Sequence, residues 1–197
     1  ETEVTQAEFE FLMGYDPSRS RSCRGNCPIE NINWYEAAAY CNALSEHAGL
    51  SRCYDCSGTG AYVTCAPSAG YGTPYECPGF RLPTEAEWEY ALRAGTTGPF
   101  YGNRDDVGWY LTNSGNELHP VATKAPNLWG LYDMHGNIGE WCHDWYGEYP
   151  RGHVTDPWGP TGGTKRADRV GSFFGGFQRS RAAYRFYGTD PDFRGGT

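Results

Sequence analysis

The stretch PNLWGLYDMHGNIGEWCHDWY, residues 126–146, decides how this chain is read. It sets Trp129, Trp141 and Trp145 among Asp133, Glu140 and Asp144. Carboxylates rarely sit among buried aromatics unless they are paired or bind a metal. Residues 127–131 predict a tight bend. Gly136-Asn137 predicts a turn in which Gly136 takes a positive φ. Residues 140–146 alternate as a strand with one aromatic face. Two structures satisfy this pattern. One is a loop ordered by calcium, which takes about six to eight oxygen ligands from carboxylates and carbonyls. Asp133, Glu140 and the main-chain oxygens of Gly136 and Ile138 would supply several. The other is a hairpin whose acids face water, because D-x-x-G-x-x-x-E is looser than an EF-hand loop.

A second block, PGFRLPTEAEWEYALRAG at residues 78–95, carries a capped helix with Trp88 on its inner side. Together, NLWGLYDMHGNIGEW and RLPTEAEWEYALRAG resemble the two signature motifs of the formylglycine-generating-enzyme/sulfatase-modifying-factor family, in the same order and spacing. The resemblance begins at Thr2-Glu3-Val4-Thr5-Gln6 and covers nearly the whole chain. It implies an α+β, C-type-lectin-like fold with short helices, a small twisted antiparallel sheet and much irregular loop. It implies one domain over residues 1–197 and a structural Ca2+ held by Asp133, Gly136, Ile138 and Glu140, the middle two through main-chain oxygens. The chain stops at Gly196-Thr197, where family members continue into a final G-F-R strand paired with the N-terminal one. Both terminal strands are therefore expected to be clipped.

Composition agrees with a loop-rich globular chain: 27 Gly, 13 Pro and 16% aromatic residues in 197. No apolar run reaches the roughly 20 residues of a membrane span, and no signal peptide is visible. The net charge is −8, which argues against a nucleic-acid partner. It is unevenly spread: residues 165–197 hold seven basic and three acidic residues, +4, leaving −12 elsewhere. The basic segment either binds an anion or pairs with the acids of the rest, and pairing is the expectation.

Eight cysteines, Cys23, Cys27, Cys41, Cys53, Cys56, Cys65, Cys77 and Cys142, point to disulfides and an oxidising compartment: secreted, periplasmic or cell-surface. Zinc is the rival at Cys53-x-x-Cys56, but no second CxxC follows. Cys23 with Cys27 makes a small loop. The four cysteines of residues 52–78, a Gly/Ser/Tyr-rich insertion, pair among themselves in an order the sequence leaves open. Cys41 and Cys142 are either buried free thiols or one long-range bridge. Tyr54, Tyr62, Tyr71 and Tyr75 of the insertion either pack or present a binding surface, with packing the default.

Thr5-x-x-Glu8, Asn33-x-x-Glu36 and Thr84-x-x-Glu87 are capping-box patterns that each open a helix. Glu85, Glu87 and Glu89 fall in the first turns of the third, where acids favour the helix dipole. Asn103, Asp105 and Asp106 form an oxygen-rich cluster. His119-Pro120-Val121 resembles a family strand leading into the central block. His47, His119, His135, His143 and His153 show no tight ligand cluster, and no P-loop, G-x-S-x-G or dinucleotide fingerprint is present.

The family's founding activity oxidises a substrate cysteine, and its copper is held by two thiolates after a G-S pair, soft ligands for a soft ion. Matching that pair to Gly171-Ser172 puts Gly175 and Ser180 at the cysteine positions, and neither residue offers a thiolate. No copper is expected. The segment from residue 170 to 187, VGSFFGGFQRSRAAYRFY, interleaves aromatics with Arg and Ser, which suits stacking on and hydrogen bonding to a ligand. Phe173, Phe174, Phe177, Gln178, Arg179, Arg181, Tyr184 and Arg185 are its candidate contacts. The expected function is a secreted, non-catalytic module that binds an extracellular protein or glycan, or a partner subunit. The alternatives are an oxidoreductase of the sulfatase-modifying type or a non-haem iron enzyme, and a structural subunit of an extracellular assembly.

Overall fold

All three capping boxes form. In a computed structural model describing residues 1–23, 25–169 and 171–195, Thr5, Asn33 and Thr84 each accept from the N3 amide, while Glu8, Glu36 and Glu87 bond back to the cap amide. They open α1 (Gln6–Met13), α2 (Trp34–His47) and α3 (Glu85–Arg93). Each cap contributes about 1 kcal/mol. Helix α3 ends on Ala94 at φ +42 and Gly95 at φ +89, both in the left-handed region that stops a helix. Helix α4 (Arg104–Val107) is one turn capped by Asn103.

The strands make two separate antiparallel ladders rather than one sheet: β1 (Tyr54–Ser57) with β2 (Thr64–Pro67), and β3 (Glu140–Trp145) with β4 (Arg166–Arg169). The second pairs Glu140 with Arg169 and Trp145 with Arg166 across a bulge. Where a strand is expected at residues 119–121, the chain is irregular and turns. His119 N–H is taken by the Asn137 side chain instead of a neighbouring strand. Residues 171–187 hold a short 3-10 turn at Phe177–Ser180. The N-terminal segment keeps one bridge, Thr5 to Pro28. Val170, where the candidate binding segment begins, and Gly196-Thr197 lie outside the described residues.

Tryptophans join these parts. Trp34, fully buried at the start of α2, donates Nε1 to the Cys142 carbonyl of β3 at 2.8 Å. Trp88 and Leu92 of α3 pack with Cys142, Ala167 and Ala182. The β3 chain is further tied to the loop before α3: His143 N donates to Pro83 O, and Glu85 N to Asp144 Oδ2, both at 2.8 Å. The α3 acids pair with the basic C-terminal segment. Glu85 meets Arg169 at 3.0 Å and Arg185 at 2.5 Å, and Glu89 meets Arg169 at 2.8 Å. No helix among the described residues is long and apolar enough to cross a membrane.

Three disulfides form: Cys23–Cys27, Cys53–Cys77 and Cys56–Cys65. The last two nest, pinning the β1–β2 hairpin and closing the insertion around it. Tyr54 is buried beneath it, while Tyr62 is exposed. Cys41 and Cys142 are free and buried in different core clusters, which excludes a bridge between them. Replacing Cys53 and Cys77 by serine should lower the stability measured by urea denaturation by about 2–4 kcal/mol. It should also open residues 54–76 to limited proteolysis.

Candidate functional site

Residues 133–140 form a buried turn between the bend at Asn127 and the start of β3. Positive φ falls on Asp133 (+62) and Asn137 (+68), and Gly136 is absent from the positive-φ positions the sequence pattern predicts. Asn and Asp tolerate this region because their side chains bond locally. Glycine is needed at 136 for a different reason: a Cβ there would lie 2.2 Å from the Trp109 carbonyl oxygen.

Asn137 is fully buried and gathers four segments. Its Nδ2 donates to Glu3 Oε2 at 2.8 Å and to His119 O at 3.1 Å. Its Oδ1 accepts from His119 N at 3.0 Å. Its backbone N donates to Trp109 O at 3.0 Å, and its carbonyl accepts from Phe173 N at 2.9 Å. Glu3 also accepts from Ile138 N at 3.2 Å. Neither Glu3 nor Asn137 stands out in the sequence as part of a site, since both act through contacts far along the chain.

Three carboxylates crowd this turn. Burial pushes Glu3 well above the usual carboxylate range, and repulsion from Asp133 and Glu140 adds to it. Burial also raises Asp133, against a bond from Ala122 N to Oδ2 at 2.7 Å. Glu140 rises to about 7 through burial, although Trp88 Nε1 donates to its Oε2 at 3.1 Å. The second Asp133 oxygen, Oδ1, is buried with no partner among the described residues. An orphaned buried carboxylate oxygen is costly unless something positive meets it. Among the described residues no three His, Cys, Asp or Glu side chains gather as a ligand set. A cation here would therefore depend on main-chain oxygens as well, which suits a hard ion such as calcium.

The histidines beside the turn are engaged. His135 Nδ1 donates to Ser180 O at 2.7 Å, and Nε2 accepts from Tyr101 N at 3.2 Å. Burial lowers it to about 4, so it is neutral. His143 points the other way, with Nδ1 3.1 Å from Tyr54 Oη.

The candidate binding segment packs directly on the turn. Besides the Phe173–Asn137 bond, Ser114 Oγ donates to Phe173 O at 2.7 Å and Leu111 N donates to Gly175 O at 2.9 Å. Phe174, Gln178, Arg179 and Arg181 are exposed on its outer side. Phe173, Phe177 and Tyr184 are half-buried. Arg104 stacks on Phe177 at 4.5 Å. Arg185 turns inward to Glu85 and Gly147 O. Gly175 and Ser180 are both buried. The two free thiols lie in core clusters, and burial pushes Cys41 up to about 12 and Cys142 well above its ordinary value. Both are protonated at neutral pH and poor nucleophiles.

Over residues 1–195 the chain matches the sulfatase-modifying factor enzyme 1-like domain, and it belongs to that family. It is similar to the chaperone protein LppX of Paenibacillus barcinonensis, 31% identical over 175 residues, covering 73% of this chain and 60% of that protein. It is also similar to the formylglycine-generating enzyme of Thermomonospora curvata, 32% identical over 181 residues, covering 80% of this chain and 48% of the enzyme. The chain thus spans 60% or less of the length of these two relatives. Among solved structures, the Treponema denticola variable protein 1 superposes with a TM-score of 0.82 at 35% identity, covering 98% of this chain and 78% of that one.

Without a bound cation, Glu140 holds a proton in the folded state that the unfolded chain releases between about pH 4.5 and 7. Its contribution to stability therefore falls as pH rises through that window. His135 and His143, lowered to about 4, act in the opposite sense, and burial of Asp144 and Asp168 acts in the same one. The difference between wild type and Glu140→Gln cancels these contributions. In EDTA, the stability of the variant relative to wild type should be greater at about pH 8 than at about pH 5. An equal difference at both would show an unperturbed carboxyl.

Proposed function

We propose that this domain is a calcium-stabilised, non-catalytic ligand-binding module of an extracytoplasmic protein. The observation that carries the non-catalytic part is that both free thiols, Cys41 and Cys142, are buried, and the family resemblance matches Gly175 and Ser180 to its copper-binding cysteines. A soft ion such as Cu(I) has no thiolate to bind there. Three disulfides support an oxidising compartment.

Calcium fits the turn. Asp133 Oδ1 is the orphaned oxygen, Glu140 adds a second carboxylate, and the main-chain oxygens of Gly136 and Ile138 would complete the protein ligands. The ion would offset the mutual repulsion of Glu3, Asp133 and Glu140. It would also hold the base on which residues 171–181 rest. The binding face in this account is the exposed set Phe174, Gln178, Arg179 and Arg181, flanked by Phe173, Phe177, Tyr184 and Arg185. The ligand class is an extracellular protein or glycan. One observation favours a second reading, a subunit of an extracellular assembly: Tyr90 and Trp129 meet edge to face at 5.1 Å and are exposed together with Leu128.

Three measurements test the proposal. Calcium at a concentration about 100 times its Kd should stabilise the wild type by roughly 2.7 kcal/mol, and Asp133→Ala should remove that gain. No calcium-dependent shift in melting would contradict the site. Competition with a chromophoric Cu(I) chelator, followed by assay on a cysteine-containing peptide under oxygen, should show neither tight copper binding nor turnover. Either one would overturn the non-catalytic part. Phe174→Ala with Arg181→Ala should leave stability within about 0.5 kcal/mol of wild type. The same pair should abolish any binding the wild type shows on a printed glycan array or an extracellular-protein array.

A further inference from the structure

A cavity of about 450 Å3 lies between the cysteine-rich insertion and the end of β3. Its walls include the hairpin side from Cys65 to Pro74, with Tyr35, Trp145 and Trp158. Arg81, His143 and Arg166 also line it, and no aspartate or glutamate does. In a chain of net charge −8, a cavity lined only by cationic and neutral groups is a departure that asks for a cause. None of the eight candidate contacts on residues 173–185 reaches it.

Arg166 is the informative residue. It is 2% exposed, and its guanidinium lies between two indoles, 3.7 Å from the Trp34 centroid and 3.6 Å from that of Trp145. Nη1 donates to His143 O at 2.7 Å. Nε is buried with no partner among the described residues. Arg169, also buried, has two carboxylate partners, Glu85 and Glu89, although its Nε is likewise unpartnered among the described residues. Among the described residues Arg166 has no ion-pair partner. Asp144 is near enough to favour its charge but is engaged by Glu85 N. Stacking between indoles compensates part of the cost of a buried cation. The usual full remedy is a hydrogen-bonded anion.

His143 adds a second donor. Leu82 N donates to Tyr54 Oη at 3.1 Å, which leaves the Tyr54 hydroxyl proton for His143 Nδ1. Nδ1 is therefore an acceptor, and a neutral His143 carries its proton on Nε2. Burial keeps this ring neutral, lowering it to about 4. Arg81 also lines the cavity, with both Nη groups on Glu87. The Arg166 guanidinium, with no ion-pair partner among the described residues, and the His143 Nε2–H thus lie at one cavity.

We propose that this cavity binds a small carboxylate carried on a ring, with the carboxylate on Arg166 and the ring against the aromatic wall. Its volume falls in the usual range for small-molecule sites, about 300–1,000 Å3. That is room for one acidic sugar or one aryl carboxylate. Both present the same chemistry to Arg166, and the ring decides between them.

The test is calorimetric titration of the intact chain with glucuronate and with benzoate, each beside its neutral amide. The proposal expects at least one acid to bind with a Kd below about 1 mM. Its amide should bind at least about tenfold more weakly, a difference of about 1.4 kcal/mol. Binding of glucuronate alone assigns a sugar, and binding of benzoate alone assigns an aryl group. Arg166→Gln should abolish binding. Because Arg166 is also stacked in the core, Trp158→Ala gives an independent check. It removes only a half-buried wall and should weaken binding severalfold with the melting temperature unchanged. Failure of both acids to bind, or equal binding of acid and amide, would overturn the proposal.

Discussion

Asn137 is the constraint on which the rest hangs. One fully buried asparagine, held at positive φ, bonds Glu3 and His119 through its side chain and Trp109 and Phe173 through its main chain. Those residues come from the N-terminus, the irregular middle of the chain and the C-terminal segment. A domain with two short ladders and little helix cannot align distant loops through regular structure. A buried polar hub does so instead, because each unsatisfied group would cost more than its bond contributes. Gly136 and Gly171 permit the close approach: a Cβ on Gly171 would sit 2.7 Å from Gly136 N. The turn and the strip from Gly171 to Arg181 therefore form one mechanical unit.

Charge is organised around the same unit in two ways. On the α3 side, Glu85 and Glu89 take up Arg169 and Arg185, so part of the basic C-terminal segment is balanced within the fold. On the turn side, burial raises Glu3, Asp133 and Glu140, and no cationic side chain is paired to them among the described residues. The contrast explains why a cation is proposed at one place and an anion at another. Acids accumulate at the turn, while Arg166 stands alone beneath the insertion.

Much of the fold was legible where the signal is local. Cap spacing at Thr5, Asn33 and Thr84 fixed three helix starts, since a capping box needs only four residues. The clustering of Cys53, Cys56, Cys65 and Cys77 announced a tethered insertion, but the nested pairing depends on how the hairpin lies. That Asp133 and Glu140 are acids set among aromatics was visible, and both are raised by burial. The parts played by Glu3, Asn137 and Arg166 were not, because each depends on contacts between distant parts of the chain. The positive φ assigned to Gly136 went to Asp133 and Asn137. Glycine at 136 reflects crowding by Trp109, which composition cannot reveal. A strand expected at His119 gave way to side-chain bonding by Asn137.

The most direct measurement is hydrogen–deuterium exchange of Asn137→Ala against wild type, read in three segments: 117–122, 133–140 and 171–181. If Asn137 couples these segments, exchange should accelerate in all three together while α2 stays protected. Acceleration confined to 133–140, with 171–181 unchanged, would contradict a single unit joining the carboxylate turn to the candidate binding strip.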